Sequence, residues 1–289
     1  MKKKSLPEEI VEFRDVSNIY DVYLIDLWGV IHNGVNLFDN AINVLKKLKE
    51  KEKKIVLISN APRTNATVKE FLLKLNFDFN LVDLLVTSGD VTRDYILDNN
   101  NKKFYHLGPD KDGDLFFDVK NITNNITHAD EIVCTGLVDH IGQDISDYQN
   151  FFKDMINDKK NLICANPDEV VSRGDIIEFC AGALANLYKK LGGEVKYFGK
   201  PFDKIYSFAT NQIEKHFGKP IDKNKILAVG DNLKTDICGA QNYAIESMLI
   251  LNGIYKDFFR NNKLNFDKLL KSNDLEDLSV NKFQQELKW

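Results

Sequence analysis

The chain has 289 residues, with 39 Lys and Arg against 43 Asp and Glu, for a formal net charge of −4. Its 43% hydrophobic and 28% charged residues exclude a chain disordered throughout, and the length suits one large or two ordinary domains. No apolar run approaches the roughly 18 residues that span a bilayer, and the lysines are interleaved with acids instead of forming a basic stripe, so neither membrane nor nucleic acid is an expected partner.

The basic tip Lys2-Lys3-Lys4 is followed by Pro7, Glu8 and Glu9 where a signal peptide would be apolar, so no secretion signal is expected. Val22-Tyr23-Leu24-Ile25 is a short continuous apolar run, the pattern of a strand buried on both faces. A helix follows, with Ile42, Leu45 and Leu48 on one face and Lys46, Lys47, Lys49 and Glu50 on the other. Ile55 to Ile58 repeats the buried-strand pattern, and Val68 to Leu75 reads as helix. Further strands are expected at Leu84–Val86, Ile132–Cys134, Leu162–Ala165, Ile226–Val229 and Met248–Leu251. This alternation predicts an α/β protein with a doubly wound parallel sheet. Cys134, Cys164, Cys180 and Cys238 are scattered and mostly lie in apolar runs, which predicts buried reduced thiols and a cytoplasmic setting. From about Lys256 onward the weak periodicity predicts a surface helix or two.

Ligands of open parallel sheets gather at the carboxyl ends of the strands. There the first strand carries Asp26, the second Ser59, a later apolar run leads into Gly199-Lys200-Pro201, and another strand ends in Gly230-Asp231 with Asp236 five residues on. Singly, these read equally well as a loop carboxylate, a helix cap and a solvent lysine. Together they make the set needed for phosphoryl transfer through a carboxylate. Asp26 would attack phosphorus, Lys200 and Ser59 would hold the phosphoryl group, and Mg²⁺ between Asp26 and Asp231 would offset its charge. Hard oxygen ligands suit Mg²⁺ better than zinc.

With these motifs in order, the chain resembles the haloacid dehalogenase superfamily, within it the class IIA, NagD-like hydrolases. Asp26 with Gly29-Val30 is similar to the first motif, Ser59-Asn60 to the second, Lys200 to the third, and Asp231 with Asp236 to the fourth. Thr87-Ser88-Gly89, Asn166-Pro167-Asp168 and Ala181 to Leu184 match further segments between them. The resemblance implies a Rossmann-like core, 1–87 and 194–289, with an inserted α/β cap of the C2 type, 88–193. It implies a phosphatase acting on a small phosphorylated metabolite, and a homodimer. Mg²⁺ would be held by Asp26, Asp231, Asp236 and the backbone carbonyl of Trp28. Asn60 would join Ser59 at the phosphate, and Asn166 and Asp168 would lie near the leaving group, although Asn-Pro-Asp is also an ordinary turn.

Position 28 departs from the pattern. The family carries an Asp there that protonates the leaving group and activates water, whereas an indole has one N–H and no useful pKa. General acid–base catalysis is typically worth about 10²–10⁴-fold, so turnover should be slow. The resemblance extends to a subset with the same Asp-X-Trp-Gly-Val pattern, which implies a specialised branch. His32, six residues after Asp26, is a candidate replacement acid and base, with a structural hydrogen bond as its other reading. Trp28 is either a stacking platform for an aromatic leaving group or a space filler. The rival functions are a weakly active or inactive phosphate-binding protein and a phosphotransferase.

Overall fold

The computed structural model describes residues 7–173, 176–256, 258 and 265–289, so the basic tip and part of the tail lie outside the described residues. In chain order the strands are β1 (Glu8–Glu9), β2 (Val22–Asp26), β3 (Lys54–Ser59), β4 (Leu84–Thr87), β5 (Phe104–Leu107), β6 (Glu131–Cys134), β7 (Asn161–Cys164), β8 (Val170–Arg173), β9 (Ile176–Phe179), β10 (Val195–Tyr197), β11 (Ile226–Gly230), β12 (Glu246–Ile250) and β13 (Lys282–Gln284). The α-helices are α1 (Asp39–Glu50), α2 (Asn65–Lys74), α3 (Ser88–Asp98), α4 (Gln149–Asn157), α5 (Ala181–Lys190), α6 (Asp203–Phe217), α7 (Cys238–Tyr243) and α8 (Phe266–Lys271). The chain forms two compact units. One comprises Met1–Ser59, Leu72–Leu85 and Tyr206–Trp289, the other Asn60–Phe71 and Val86–Ile205.

A seven-stranded sheet in the order β1-β13-β12-β11-β2-β3-β4 organises the first unit. The pairs from β1 through β3 are all parallel. Every residue of β2 and β11 is buried, which is why these strands read as unbroken apolar runs and not as alternating ones. Helix α1 buries Ala41, Val44, Leu45 and Leu48, while Ile42, expected on that face, is only half-buried. The chain leaves β2 towards β3 on one side and returns as β11 on the other, so the sheet has its switch point between β2 and β11.

The tail is more than surface helix. Helix α8 packs Phe266, Leu269 and Leu270 into an apolar cluster with Tyr255 and Phe283, and β13 is a fully buried strand joined to β12 and β1. Its sequence, Lys282-Phe283-Gln284, has no strand-like pattern because two of its three buried side chains are polar. They are satisfied: Lys282 pairs with Glu246, and the Gln284 amide donates to the carbonyls of Val11 and Lys288.

The second unit holds a four-stranded parallel sheet, β10-β7-β6-β5, and the antiparallel hairpin of β8 with β9. Tyr148, Phe152 and Tyr188 fill its core beside Cys134 and Cys164. Burial pushes the Cys134 and Cys180 thiols up to about 12, so they remain protonated and unreactive. All four cysteines are free thiols, and Cys238 is only partly buried. The expected segment 88–193 lies within this unit, which also takes in 60–71, 86–87 and 194–205. Among the described residues, no helix is long and apolar enough to cross a membrane.

Candidate functional site

In the first unit the acids gather at the switch point. Val229 pairs with Ile25, so the next residues bring Asp26, the last of β2, beside the end of β11 and Asp231. Asp236 follows in a single π-helical turn, Leu233–Ile237, that starts from Asn232, whose side chain accepts from the Lys234 amide. Such turns recur at functional sites because they re-aim side chains. Asp26, Asp231 and Asp236 are each at least nine-tenths buried, and their carboxylates offer oxygens that all lie within 4.8 Å of one another.

Backbone amides aim two of these carboxylates. Ile254 N–H donates to Asp231 Oδ2 at 3.1 Å, and Asn232 N–H to Asp236 Oδ2 at 3.2 Å. Glycines make the room. A Cβ on Gly253 would lie 1.9 Å from Asp231 Oδ2, one on Gly29 2.1 Å from the same atom, and one on Gly230 2.1 Å from Asp236 Cγ. Gly29 also has φ +81°, which only glycine adopts cheaply. Three buried carboxylates this close repel one another, and a hard divalent cation suits the oxygens they present. The donor set therefore fits Mg²⁺. Gly253 and Ile254 escaped the sequence reading, although a Gly two residues past a strand end, Leu251-Asn252-Gly253, was the available signal.

The loop after Asp26 is a packed device. Trp28 is half-buried and meets His32 edge-on, ring centres 5.3 Å apart at 77°. Gly34 has φ +87°, and a Cβ there would lie 2.4 Å from the indole Cη2. The Gly34 N–H donates to His32 Nδ1 at 2.9 Å, and the Gly29 N–H to the His32 carbonyl at 2.8 Å. Burial pulls the His32 imidazole down to about 4, so it is neutral at pH 7. Ser59 ends β3 one residue beyond Ile58, the pairing partner of Asp26.

The remaining predicted residues form a network inside the second unit. The Asn60 side chain accepts from the Lys200 N–H at 2.7 Å and donates to the Lys200 carbonyl and to Asp168 Oδ1, each at 3.0 Å. Asn166 Oδ1 accepts from the Asp168 N–H at 3.1 Å, closing the Asn-Pro-Asp turn. Lys200 itself is buried. A Cβ on Gly199 would strike Asn60 Oδ1 at 2.5 Å, so the third motif needs Gly at that position.

Comparison with known proteins identifies the family. Residues 23–120 match a family model described as haloacid dehalogenase-like hydrolase, and 197–272 match a HAD-hydrolase-like one. A haloacid dehalogenase-like hydrolase from Brucella suis 1330 is 35% identical, with 86% of this chain and 91% of that one covered at a TM-score of 0.79. This chain belongs to the haloacid dehalogenase-like hydrolases. Among relatives of this family, ribonucleotide monophosphatase NagD of Escherichia coli K12 is 25% identical over 231 residues, 79% of this chain and 86% of that one. An acid sugar phosphatase of Staphylococcus epidermidis is 24% identical over 243 residues, 82% and 90% of the two chains. The chain is thus a haloacid dehalogenase-like hydrolase with NagD among its homologues.

Proposed function

We propose that the protein is a Mg²⁺-dependent phosphatase acting on a small phosphorylated metabolite through a phosphorylated Asp26. The observation that carries this reading is the buried carboxylate triad at the switch point, with Asp26 at a strand tip. The NagD and acid sugar phosphatase relatives support the reaction class. Asp26, Asp231, Asp236 and the Trp28 carbonyl would hold the cation, which supplies charge compensation for the phosphoryl oxygens. Asp26 attacks phosphorus, a bond forms from its carboxylate oxygen to phosphorus, and the bond to the leaving oxygen breaks. Water then cleaves the acyl phosphate, releasing phosphate and restoring the carboxylate. Lys200 contributes fixed positive charge, while Ser59 and Asn60 bind the phosphoryl group. Asn166 and Asp168 stand by the leaving group. In domain terms, 88–193 is the cap and 1–87 with 194–289 the core, with the pair of subunits and the cytoplasm as its setting.

Trp28 sets the substrate preference. An indole gives the leaving oxygen no proton, and the neutral His32 has one ring nitrogen already accepting from Gly34. Leaving groups that depart unprotonated, such as those of acyl phosphates and phosphoanhydrides, are therefore favoured over alkoxides. Phosphate release from purified protein with Mg²⁺ tests this: acetyl phosphate should turn over faster than alkyl monoesters, and the reverse order would refute the preference. The Trp at this position also supports a second reading, a phosphate-binding protein without turnover. Silence on every substrate, with activity appearing in W28D, would establish it.

A further inference from the structure

The second unit carries a cluster of positive charge that the phosphatase reading does not use. Glu131 opens β6 with its side chain buried. Lys196 and Lys102 both reach its Oε1, at 2.5 and 3.1 Å, and the Tyr95 hydroxyl donates to its Oε2 at 2.8 Å. The same two ammoniums also donate to the Tyr95 oxygen, at 2.9 and 3.3 Å. Lys204, in the first turn of α6, completes the group. Its Nζ lies 4.3 Å from the ring centre of Phe198 and 5.2 Å from that of Tyr95. All of these residues fall within the second unit.

One ammonium would neutralise Glu131, yet three surround the Tyr95 ring, with Nζ atoms 5.2 to 5.7 Å from its centre. Among the described residues, Glu131 is the only acid paired with any of them. Asp130, next to Glu131, instead accepts from the Lys103 N–H at 2.7 Å, and Asp203, next to Lys204, forms no ion pair with it. Three ammoniums against one carboxylate leave the cluster with an excess of positive charge.

An ammonium has three N–H donors. Lys102 and Lys196 each use two of theirs on Glu131 and Tyr95, and none on Lys204 has an acceptor among the described residues. The side chains of Lys102 and Lys196 are about one-third exposed and Lys204 is exposed, so the spare donors are open to a ligand. Lys204 is held below the usual lysine range, first by partial burial and then by repulsion from Lys196, with Glu131 opposing. An anion beside it relieves both effects. The aromatic faces keep the ammoniums near one another, which reduces the side-chain freedom that binding would otherwise cost. Lysine binds phosphate as a point charge, whereas planar carboxylates suit the arginine fork, so a compact tetrahedral dianion matches this group.

We propose that Lys102, Lys196 and Lys204 form a binding site for a tetrahedral dianion, either free phosphate or the phosphoryl group of a small molecule. The site shares no residue with the acid triad, and it stands whether or not the phosphatase reading does.

Crystals of the full chain with Mg²⁺, soaked in tungstate, locate the site directly, because tungstate is a tetrahedral dianion that scatters anomalously. A peak among the three ammoniums is expected in the wild type and not in K204M, which removes the charge and keeps an apolar stem against the rings. Calorimetric titration of inorganic phosphate with Mg²⁺ present should show a site that K204M weakens about tenfold, the effect of one charge-assisted pair. K204R should retain that site, and K189M, at another lysine of the same unit, should leave it unchanged. Methylphosphonate separates the two sources of the dianion: equal binding admits a phosphoryl group carried on a larger molecule, and lost binding restricts the site to free phosphate. Circular dichroism checks that each variant is folded, and the wild-type peak alone tests the proposal if one is not. No tungstate among the ammoniums, or phosphate affinity that is equal in the wild type and K204M, overturns the proposal. Either result leaves the phosphatase reading standing, since phosphate or tungstate bound at the acid triad is a separate event that K204M does not touch.

Discussion

The two ends of the seven-stranded sheet treat acids in opposite ways. At the amino end they are paired with lysines. Glu246, which opens β12, meets Lys282 at 2.7 Å and accepts from the Tyr20 hydroxyl. Asp83, just before β4, meets Lys49 at 2.7 Å and accepts from the Ile55 N–H, and Asp21, just before β2, meets Lys53 at 3.1 Å. At the carboxyl end Asp26, Asp231 and Asp236 are gathered within 4.8 Å of one another, deeper than the acids opposite. The first arrangement spreads charge in a way that favours folding. The second concentrates like charge, which costs stability and is what a site for a cation requires. The difference teaches that one sheet separates the two tasks by strand polarity: its amino end stabilises and its carboxyl end acts.

The largest effect that would break this division is at the nucleophile. D26N should lower phosphate release by at least about 10³-fold without lowering the thermal midpoint, because it removes one of three crowded like charges. A variant that keeps turnover would show that Asp26 is only a neighbour of the site. W28D should raise turnover of alkyl monoesters by up to about 10²-fold, since a carboxyl in that place can protonate the leaving oxygen. Unchanged rates would mean that the limiting step lies elsewhere. G253A forces a methyl group towards Asp231 and should weaken Mg²⁺ binding by about tenfold in calorimetry. Equal affinity would show that Asp231 can move without loss.

The division was only partly legible in the sequence. Strands such as Val22–Asp26 and Ile226–Gly230 announce themselves because both faces are buried, and an acid straight after such a run can be read directly. The amino end was silent. Lys282, Glu246 and Tyr20 are far apart in the chain, and β13 carries one apolar residue among three buried positions, so its burial depends on partners that no local pattern encodes. Asn60 was read from its motif, but its clamp on Lys200 spans 140 residues and only the fold reveals it. The same is true of the bond from the Arg63 Nε–H to Asp112, which lies 49 residues on in a 3₁₀ turn.

At the amino end, K282M removes the cation beside Glu246. Glu246 is half-exposed, so the cost should be modest, about 1 kcal/mol, seen as a thermal midpoint lower by about 2–4 °C. Phosphate release at 25 °C should not change. A loss of turnover would mean that the two ends are coupled and that the division by strand polarity is false.

The last effect separates the ends by pH. The folded His32 has its pKa lowered to about 4 by burial, against 6.5 when exposed. Between these values the unfolded chain binds a proton that the folded chain refuses, so this contribution is complete above about pH 6.5 and is lost as the pH falls towards about 4. His106, in the second unit, is lowered to about 4 for the same reason and adds a loss of the same sign. Glu246 is lowered from its usual 4.5 by Lys282 and Tyr20, against the opposing effect of burial. Its contribution is present above about 4.5 and fades only below that. Burial raises Asp90 and Asp112, which oppose this loss, so the histidines are read from differences between variants in urea midpoints at pH 7.5, 6 and 5. The wild type should lose stability across this range, H32N should lose less, and H32N with H106N less again, while K282M should follow the wild-type slope. A steep slope that survives the double histidine variant would place the titrating group elsewhere and remove His32 from the account of the carboxyl end.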